Sequence, residues 1–369
     1  MSRIRFAAFF MSVLAAAGHA APLSIADAVR SEHAAGRFSG VVAIADDQKI
    51  LEEVAVGDAD RANGRASSPS TRFNIGSINK TFTCVAIAQL VERGLLQFND
   101  TVGKILPDYP NKEAASKISI HHLLTHSSGI APYTTQFLPS GSKSVSSLQL
   151  LVENFAAEPL RFEPGRRQEY SNAGYVLLGR IVEVVSGQSY EDYVRERVYK
   201  PAGMAETRFE PVPPPDPAVA TGYLRVAADG KPVMLRPGAP VPDLSATTLA
   251  PNTSMLEPGN AAGGGYSTAR DLIAFARALR GRRLLGTAMT EFLLNATFSG
   301  ADGPKYGYAL REEIVNGRRF LGNGGGAPGI NAELRFDPAG GLVVVALSNI
   351  SPPSATHMLR RVLELIASS

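Results

Sequence analysis

The chain has 369 residues, 44% of them hydrophobic, with a formal charge of +3 and one cysteine, Cys84. That length gives room for a large core and more than one structural unit, and the lone cysteine excludes an internal disulfide. Acidic and basic residues are interspersed rather than blocked, so no surface is set aside for nucleic acid or for a charged membrane.

Residues 1–20 read as an export signal. Arg3 and Arg5 give a basic start, residues 6–17 form an apolar run, and Gly18-His-Ala20 puts small residues at the cleavage positions. An uncleaved anchor is the alternative, but the run falls short of the roughly 20 residues a membrane helix needs. No later stretch approaches that length. The expected product begins at Ala21, is close to neutral, carries no transmembrane segment, and is periplasmic or secreted.

Beyond the signal, residues 24–37 have apolar positions at helical spacing. Residues 40–44 and 50–56 alternate as strands across the polar turn Asp46-Asp-Gln-Lys49, which predicts a β-hairpin. Helical patterns follow at residues 81–94, 120–126, 147–157, 173–186, 190–198 and 269–279. Pro211-Val-Pro-Pro-Pro-Asp-Pro217 reads as a stiff connector and residues 238–258 as irregular loop. Strand signals return at residues 319–321, 330–336 and 341–347, and a helix at about residues 354–367 closes the chain. Two early and three late strands make one antiparallel sheet the simplest solution. The expected fold is therefore α/β (α+β): about five strands flanked by terminal helices, built from residues 21–76 and 300–369. A mostly helical domain, residues 77–299, is inserted between them, with a cleft at the boundary.

Three short motifs can carry chemistry. Ser77-Ile-Asn-Lys80 places a hydroxyl and an amine one helical turn apart. Serine needs a base within hydrogen-bond reach, and lysine can serve only if desolvation or a second cation holds its amine neutral. Ser140-Gly-Ser-Lys143 has the same spacing, but it lies in a Gly/Ser-rich loop. Ser77 instead opens a long apolar helix, whose free N–H groups favour developing negative charge. The second motif is Tyr170-Ser-Asn172, offering a phenol to move a proton and an amide to orient a substrate. Tyr109-Pro-Asn111 is its look-alike in a proline-bounded loop. The third is Asn323-Gly-Gly-Gly326, where bare glycines let backbone approach a ligand and offer an N–H to an oxyanion. Cys84 sits in the apolar helix and reads as a core thiol. His122 and His126, four apart, are a pair a metal can use, but no carboxylate or cysteine stands at ligand spacing, so no metal and no cofactor is expected. His33 and His357 are isolated.

In this order, the motifs make the chain resemble the class C β-lactamase and penicillin-binding serine hydrolase family, which includes D-alanyl-D-alanine carboxypeptidases, D-aminopeptidases and esterases. The resemblance extends through Ile118-Ser-Ile-His-His-Leu-Leu-Thr-His-Ser-Ser-Gly129, Pro201-Ala-Gly-Met204, Gly263-Gly-Gly-Tyr-Ser-Thr-Ala-Arg-Asp271, Tyr306-Gly-Tyr308 and Val343-Val-Val-Ala-Leu-Ser-Asn349. It implies Ser77 as nucleophile, Lys80 as its partner and Tyr170 as general acid/base. It also implies substrate binding by Asn172, Asn323, Gly325 and Gly326, with the N–H groups of Ser77 and Gly326 as oxyanion hole. One position departs: Asn323 stands where the family usually has lysine or histidine. A neutral amide binds a carboxylate less strongly than a cation, which points to an ester, amide or D-amino acid peptide without an essential carboxylate, unless Arg166 or Arg167 restores the charge. A β-lactamase or D,D-peptidase proper, and a penicillin-binding-like sensor with weak turnover, are the alternatives.

Overall fold

A computed structural model describes residues 24–131, 147–209, 218–233, 244, 246–252, 258–296 and 307–367. Residues 1–20, Ser140, Lys143, residues 211–217 and Tyr306 lie outside the described residues, as does most of 238–258.

The chain opens with helix α1 (Ile25–Ala34), then strands β1 (Gly40–Ala45), β2 (Ile50–Val56), β3 (Asp58–Asp60), β4 (Arg65–Ala66) and β5 (Phe73–Asn74). Helices α2 (Asn79–Glu92), α3 (Val102–Ile105), α4 (Lys112–Lys117), α5 (Ile120–Leu124), α6 (Leu148–Glu153), α7 (Asn172–Ser186), α8 (Tyr190–Val194) and α9 (Lys200–Ala202) follow. Then come β6 (Tyr223–Val226), β7 (Thr248–Pro251), β8 (Tyr266–Ser267), α10 (Ala269–Arg280) and α11 (Thr287–Asn295). The chain closes with β9 (Arg311–Val315), β10 (Arg318–Ala327), β11 (Ile330–Phe336), β12 (Val343–Ser348) and α12 (Ser354–Ala367).

The main sheet has six strands in the order β2-β1-β12-β11-β10-β9, and every pairing is antiparallel. Its central strands read as unbroken apolar runs because both faces are covered. Val41, Ala43, Val343, Val345 and Leu347 face a large core shared with α2, α7 and α10, while Val42, Ile44, Val344 and Ala346 face α1 and α12. Helix α2 runs through the larger core and is buried almost all round, including Thr81, Thr83 and Cys84. Burial pushes the Cys84 thiol pKa upward, so it behaves as packing rather than as a nucleophile.

Three expectations are corrected. The sheet has a sixth strand, β9, whose Glu312 and Glu313 pair with Arg319 and Arg335; its polar edge gave no apolar alternation to read. A strand, β7, stands at Thr248–Pro251 in a stretch expected to be irregular, because it pairs with β6. Strand β10 runs through the Asn323-Gly-Gly-Gly326 motif and does not stop before it. Glycines are poor strand formers in isolation, but β11 supplies a full antiparallel partner, from Leu321 opposite Phe336 to Ala327 opposite Ile330.

Candidate active site

The turn before α2 is built to present one hydroxyl. Asn74 Oδ1 accepts the Gly76 N–H at 2.9 Å, and the Ile75 N–H donates to the Gly265 carbonyl at 3.1 Å. Gly76 has φ +50°, in the left-handed region open to glycine at little cost. A short 3-10 turn, Gly76–Ile78, then leads into the helix. Ser77 is therefore half-buried at the N-terminal end of α2, wedged between β10 and the 263–265 segment.

Lys80 lies in the first turn of α2 with its side chain fully buried. Its Nζ stands 3.0 Å from Ser77 Oγ and 2.8 Å from Asn172 Oδ1, and it donates to the Ala262 carbonyl. Burial away from water holds the amine's pKa well below the ordinary lysine range. A neutral amine has two N–H groups and one lone pair in this setting. Asn172 and Ala262 offer acceptors for the two N–H groups, and the lone pair is left towards the serine hydroxyl.

Tyr170 reaches the same hydroxyl from the other side, with its phenol oxygen 2.6 Å from Ser77 Oγ. Tyr170 as a residue is 55% exposed, and its ring centroid lies 4.8 Å from Lys80 Nζ. The next residue, Ser171, caps α7 by accepting the Gly174 N–H, and Asn172 opens that helix. Two members of the Tyr-Ser-Asn motif, Ser171 and Asn172, are thus fixed by one helix terminus, and Tyr170 precedes it. Asn323 is buried, and its Nδ2 donates to the Ser77 carbonyl at 3.2 Å while its Oδ1 accepts the Gly324 N–H. Gly325 packs directly on the Gly76–Ile78 turn that carries Ser77. A Cβ there would fall 2.1 Å from the Ile75 carbonyl oxygen and 2.7 Å from the Ser77 nitrogen. Gly326 follows, packed against the Pro352 ring.

The look-alike motif resolves as structure: Tyr109 is buried and Asn111 caps α4. His122 closes a capping box at the start of α5, accepting the Ser119 N–H through Nδ1. His33 Nδ1 lies 3.0 Å from the Phe38 carbonyl, and His357 lies 3.7 Å from Glu32. Arg167 stacks on Phe162 and pairs with Glu169.

Two contributors had no role assigned from sequence. The Ala261 and Ala262 carbonyls accept from Thr83 and Lys80, so the loop before Gly263 forms the floor of the site. His126 packs its ring 4.6 Å from that of Tyr170. Its place in a motif shared with known proteins was the available signal; its left-handed backbone, φ +58°, was not readable. Burial and the nearby Lys80 push the His126 pKa down to about 3. An unfolded histidine titrates near 6.5. Between those values the unfolded chain takes up a proton that the folded one refuses, so stability falls as pH drops. This group contributes at most about 1.4 kcal/mol per pH unit. Urea denaturation from about pH 7 to pH 4 is expected to show a shallower acid loss for His126→Asn than for the parent.

The sequence profile of the Beta-lactamase family matches residues 25–367. This chain belongs to that family. Within the Beta-lactamase family it is 32% identical to esterase EstB of Burkholderia gladioli over 314 residues, 76% of each chain. The penicillin binding protein from Bacillus halodurans superposes with a TM-score of 0.76 at 29% identity, covering 92% of this chain and 98% of that one. The D-amino acid amidase from Ochrobactrum anthropi SV3, crystallised with D-phenylalanine, gives 0.77 at 25% identity, covering 93% and 98%. The fold and family are those of serine hydrolases with esterase, amidase and penicillin-binding members. No helix among the described residues is long and apolar enough to cross a membrane.

Proposed function

We propose that this protein hydrolyses an ester or amide through an acyl-enzyme on Ser77, and that its preferred substrates lack an essential carboxylate. The observation that carries the reading is the double approach to one oxygen: Tyr170 Oη at 2.6 Å and Lys80 Nζ at 3.0 Å from Ser77 Oγ. Ser77 attacks the substrate carbonyl, and its proton passes to the Lys80–Tyr170 pair. The negative charge on the former carbonyl oxygen is held by the N–H groups of Ser77 and Gly326. As the tetrahedral state collapses, Tyr170 returns the proton to the departing alcohol or amine. Water then attacks the acyl-serine, the same groups take its proton, and Ser77 leaves protonated with release of the acid.

Substrate class follows from Asn323. Its amide is neutral and is already engaged with the Ser77 carbonyl and the Gly324 N–H, so it offers a substrate carboxylate little. Hydrogen bonds to charged groups exceed neutral ones by roughly 1 kcal/mol. Asn323→Lys is therefore expected to raise kcat/KM for carboxylate-bearing substrates about fivefold relative to a neutral ester. An unchanged ratio in paired assays removes the reason for excluding them. The amidase and esterase relatives make D-amino acid amides and short esters the first compounds to try.

The test is intact-mass detection of an acyl adduct across nitrophenyl esters, D-amino acid amides and β-lactams, with the adduct mapped by digestion. Transient acylation of Ser77 by an ester or amide, with slow nitrocefin hydrolysis, is the expected result. An adduct mapped to another residue, or none even with a fluorophosphonate, overturns the reading. Long-lived penicillin trapping without ester turnover would instead make the protein a penicillin-binding sensor. We place this chemistry outside the cytoplasm because of the basic-then-apolar start at residues 1–20; recovery of exported protein beginning at Ala21 tests that.

A further inference from the structure

Tyr170 poses a physical problem. It is more than half exposed and is reached through residues 166–170, which form no helix or strand. A loop side chain with one face in solvent samples many positions, yet the phenol oxygen must stay within hydrogen-bond distance of Ser77. Three contacts from the 125–126 turn restrain the strand of chain on either side of it. The His126 carbonyl accepts the Glu169 N–H at 2.8 Å. His126 Nδ1 accepts the Ser171 N–H at 3.1 Å. The Thr125 carbonyl accepts from Gln168 Nε2 at 2.8 Å. One histidine thus grips the residue before Tyr170 through its backbone and the residue after it through its ring. The same ring lies against the Tyr170 ring, centroids 4.6 Å apart and planes at 35°.

The rest of the histidine is fixed in turn. It is only 3% exposed, and its ring lies 5.0 Å from that of Tyr175, whose hydroxyl donates to the Leu124 carbonyl. The backbone at His126 holds the left-handed φ of +58°, a region uncommon outside glycine in which asparagine, aspartate and histidine are enriched. That turn of the backbone accompanies a side chain directed back against the 169–171 segment. Accepting the Ser171 N–H requires an unprotonated Nδ1, so the imidazole is neutral with its proton on Nε2.

We propose that His126 is the positioning residue for Tyr170, holding the phenol on Ser77 by combined ring stacking and acceptance of the Ser171 N–H. The inference rests on the acyl-transfer reading above, and it assigns His126 no contact with substrate. Two substitutions separate its parts. His126→Asn places an amide oxygen close to where Nδ1 stands and tolerates a positive φ, but gives up the stack. His126→Phe keeps the stack and leaves the Ser171 N–H buried without its acceptor.

The readouts are steady-state ester hydrolysis and the 13Cζ resonance of Tyr170 in tyrosine-labelled protein, assigned with Tyr170→Phe. In His126→Phe, kcat is expected to fall on the order of tenfold to a hundredfold, with KM within about twofold of the parent and the Tyr170 resonance displaced. His126→Asn is expected to recover most of the lost kcat and to return the resonance towards its original position. If both variants lose only melting temperature, with kcat and the resonance unmoved, His126 is structural and the proposal fails. Should His126→Phe not fold, His126→Gln, whose acceptor stands one bond too far out, is expected to show the same displaced resonance and low kcat. The resonance needs no turnover: its displacement in a protein whose Ser77 never labels would sink the acyl-transfer reading and leave the positioning role standing.

Discussion

Lys80→Met is expected to slow acylation of Ser77 by about 10²–10⁴-fold while leaving the protein as stable as its parent or more so. The two effects have one cause. The Lys80 amine is fully buried, and among the described residues its hydrogen-bond partners are Ser77, Asn172 and the Ala262 carbonyl, with no acidic side chain. Its pKa therefore lies well below that of a lysine in water, through desolvation alone. Between its depressed folded value and the ordinary lysine range, the unfolded chain binds a proton there that the folded chain gives up, so over that span this group lowers stability. The deficit shrinks as pH rises towards the unfolded lysine value. Methionine has similar volume and length and no proton to lose. It removes the deficit and the pH slope, against about 1–3 kcal/mol for the Ala262 carbonyl left without its donor. Catalysis has no such compensation, because Ser77 retains only the phenol as a proton acceptor. Fluorophosphonate labelling rates and urea denaturation at about pH 7 and pH 9 check both halves. A labelling rate within tenfold of the parent would mean that Tyr170 alone activates the serine.

The parts of this molecule that the sequence announced are those governed by local periodicity. Helix α2 was readable from its apolar run and the serine at its head, and the terminal strands from the runs that two covered faces demand. The motif residues Ser77, Lys80, Tyr170 and Asn172 were readable as types at spacings, and folding brings them within hydrogen-bond distance across 93 residues of chain. What stayed hidden depends on partners distant in sequence. Strand β9 is held by ion pairs to Arg319 and Arg335, which carry no apolar signature. The glycines of β10 look like a turn until β11 pairs with them. His126 and His122, four residues apart, are set aside as a metal pair because no carboxylate or cysteine stands at ligand spacing, and no other role for His126 is read from them. In the structure His122 is absorbed in capping α5, and His126 turns away through a left-handed backbone to meet Tyr170. Asn323 was read by its lack of charge, and the structure adds that its amide already ties β10 to the turn that carries Ser77.

That tie makes Gly325→Ala the sharpest test of how the two elements share a site. The added methyl would stand 2.1 Å from the Ile75 carbonyl oxygen, 2.7 Å from the Ser77 nitrogen and 2.9 Å from the Gly76 Cα. All three are backbone atoms, so no side chain can swing aside. Strand β10 and the turn that carries Ser77 must separate by roughly 1 Å, and overpacking of this kind costs about 1–3 kcal/mol. The proposed oxyanion donors sit one on each element, at Ser77 and Gly326. Separation withdraws one of them from the carbonyl oxygen, and a lost donor of this type lowers kcat about 10²–10³-fold. Gly317→Ala is the matched control. Gly317 turns the β9–β10 hairpin at φ +80° and has open space around it, so alanine there is strained and destabilising but leaves the site alone. Ester hydrolysis is expected to survive Gly317→Ala and to collapse in Gly325→Ala, even with the two proteins assayed at temperatures that equalise their folded fractions. Equal kcat in both would show that the close approach of β10 to the serine turn serves packing, and the oxyanion site would have to be sought on other N–H groups.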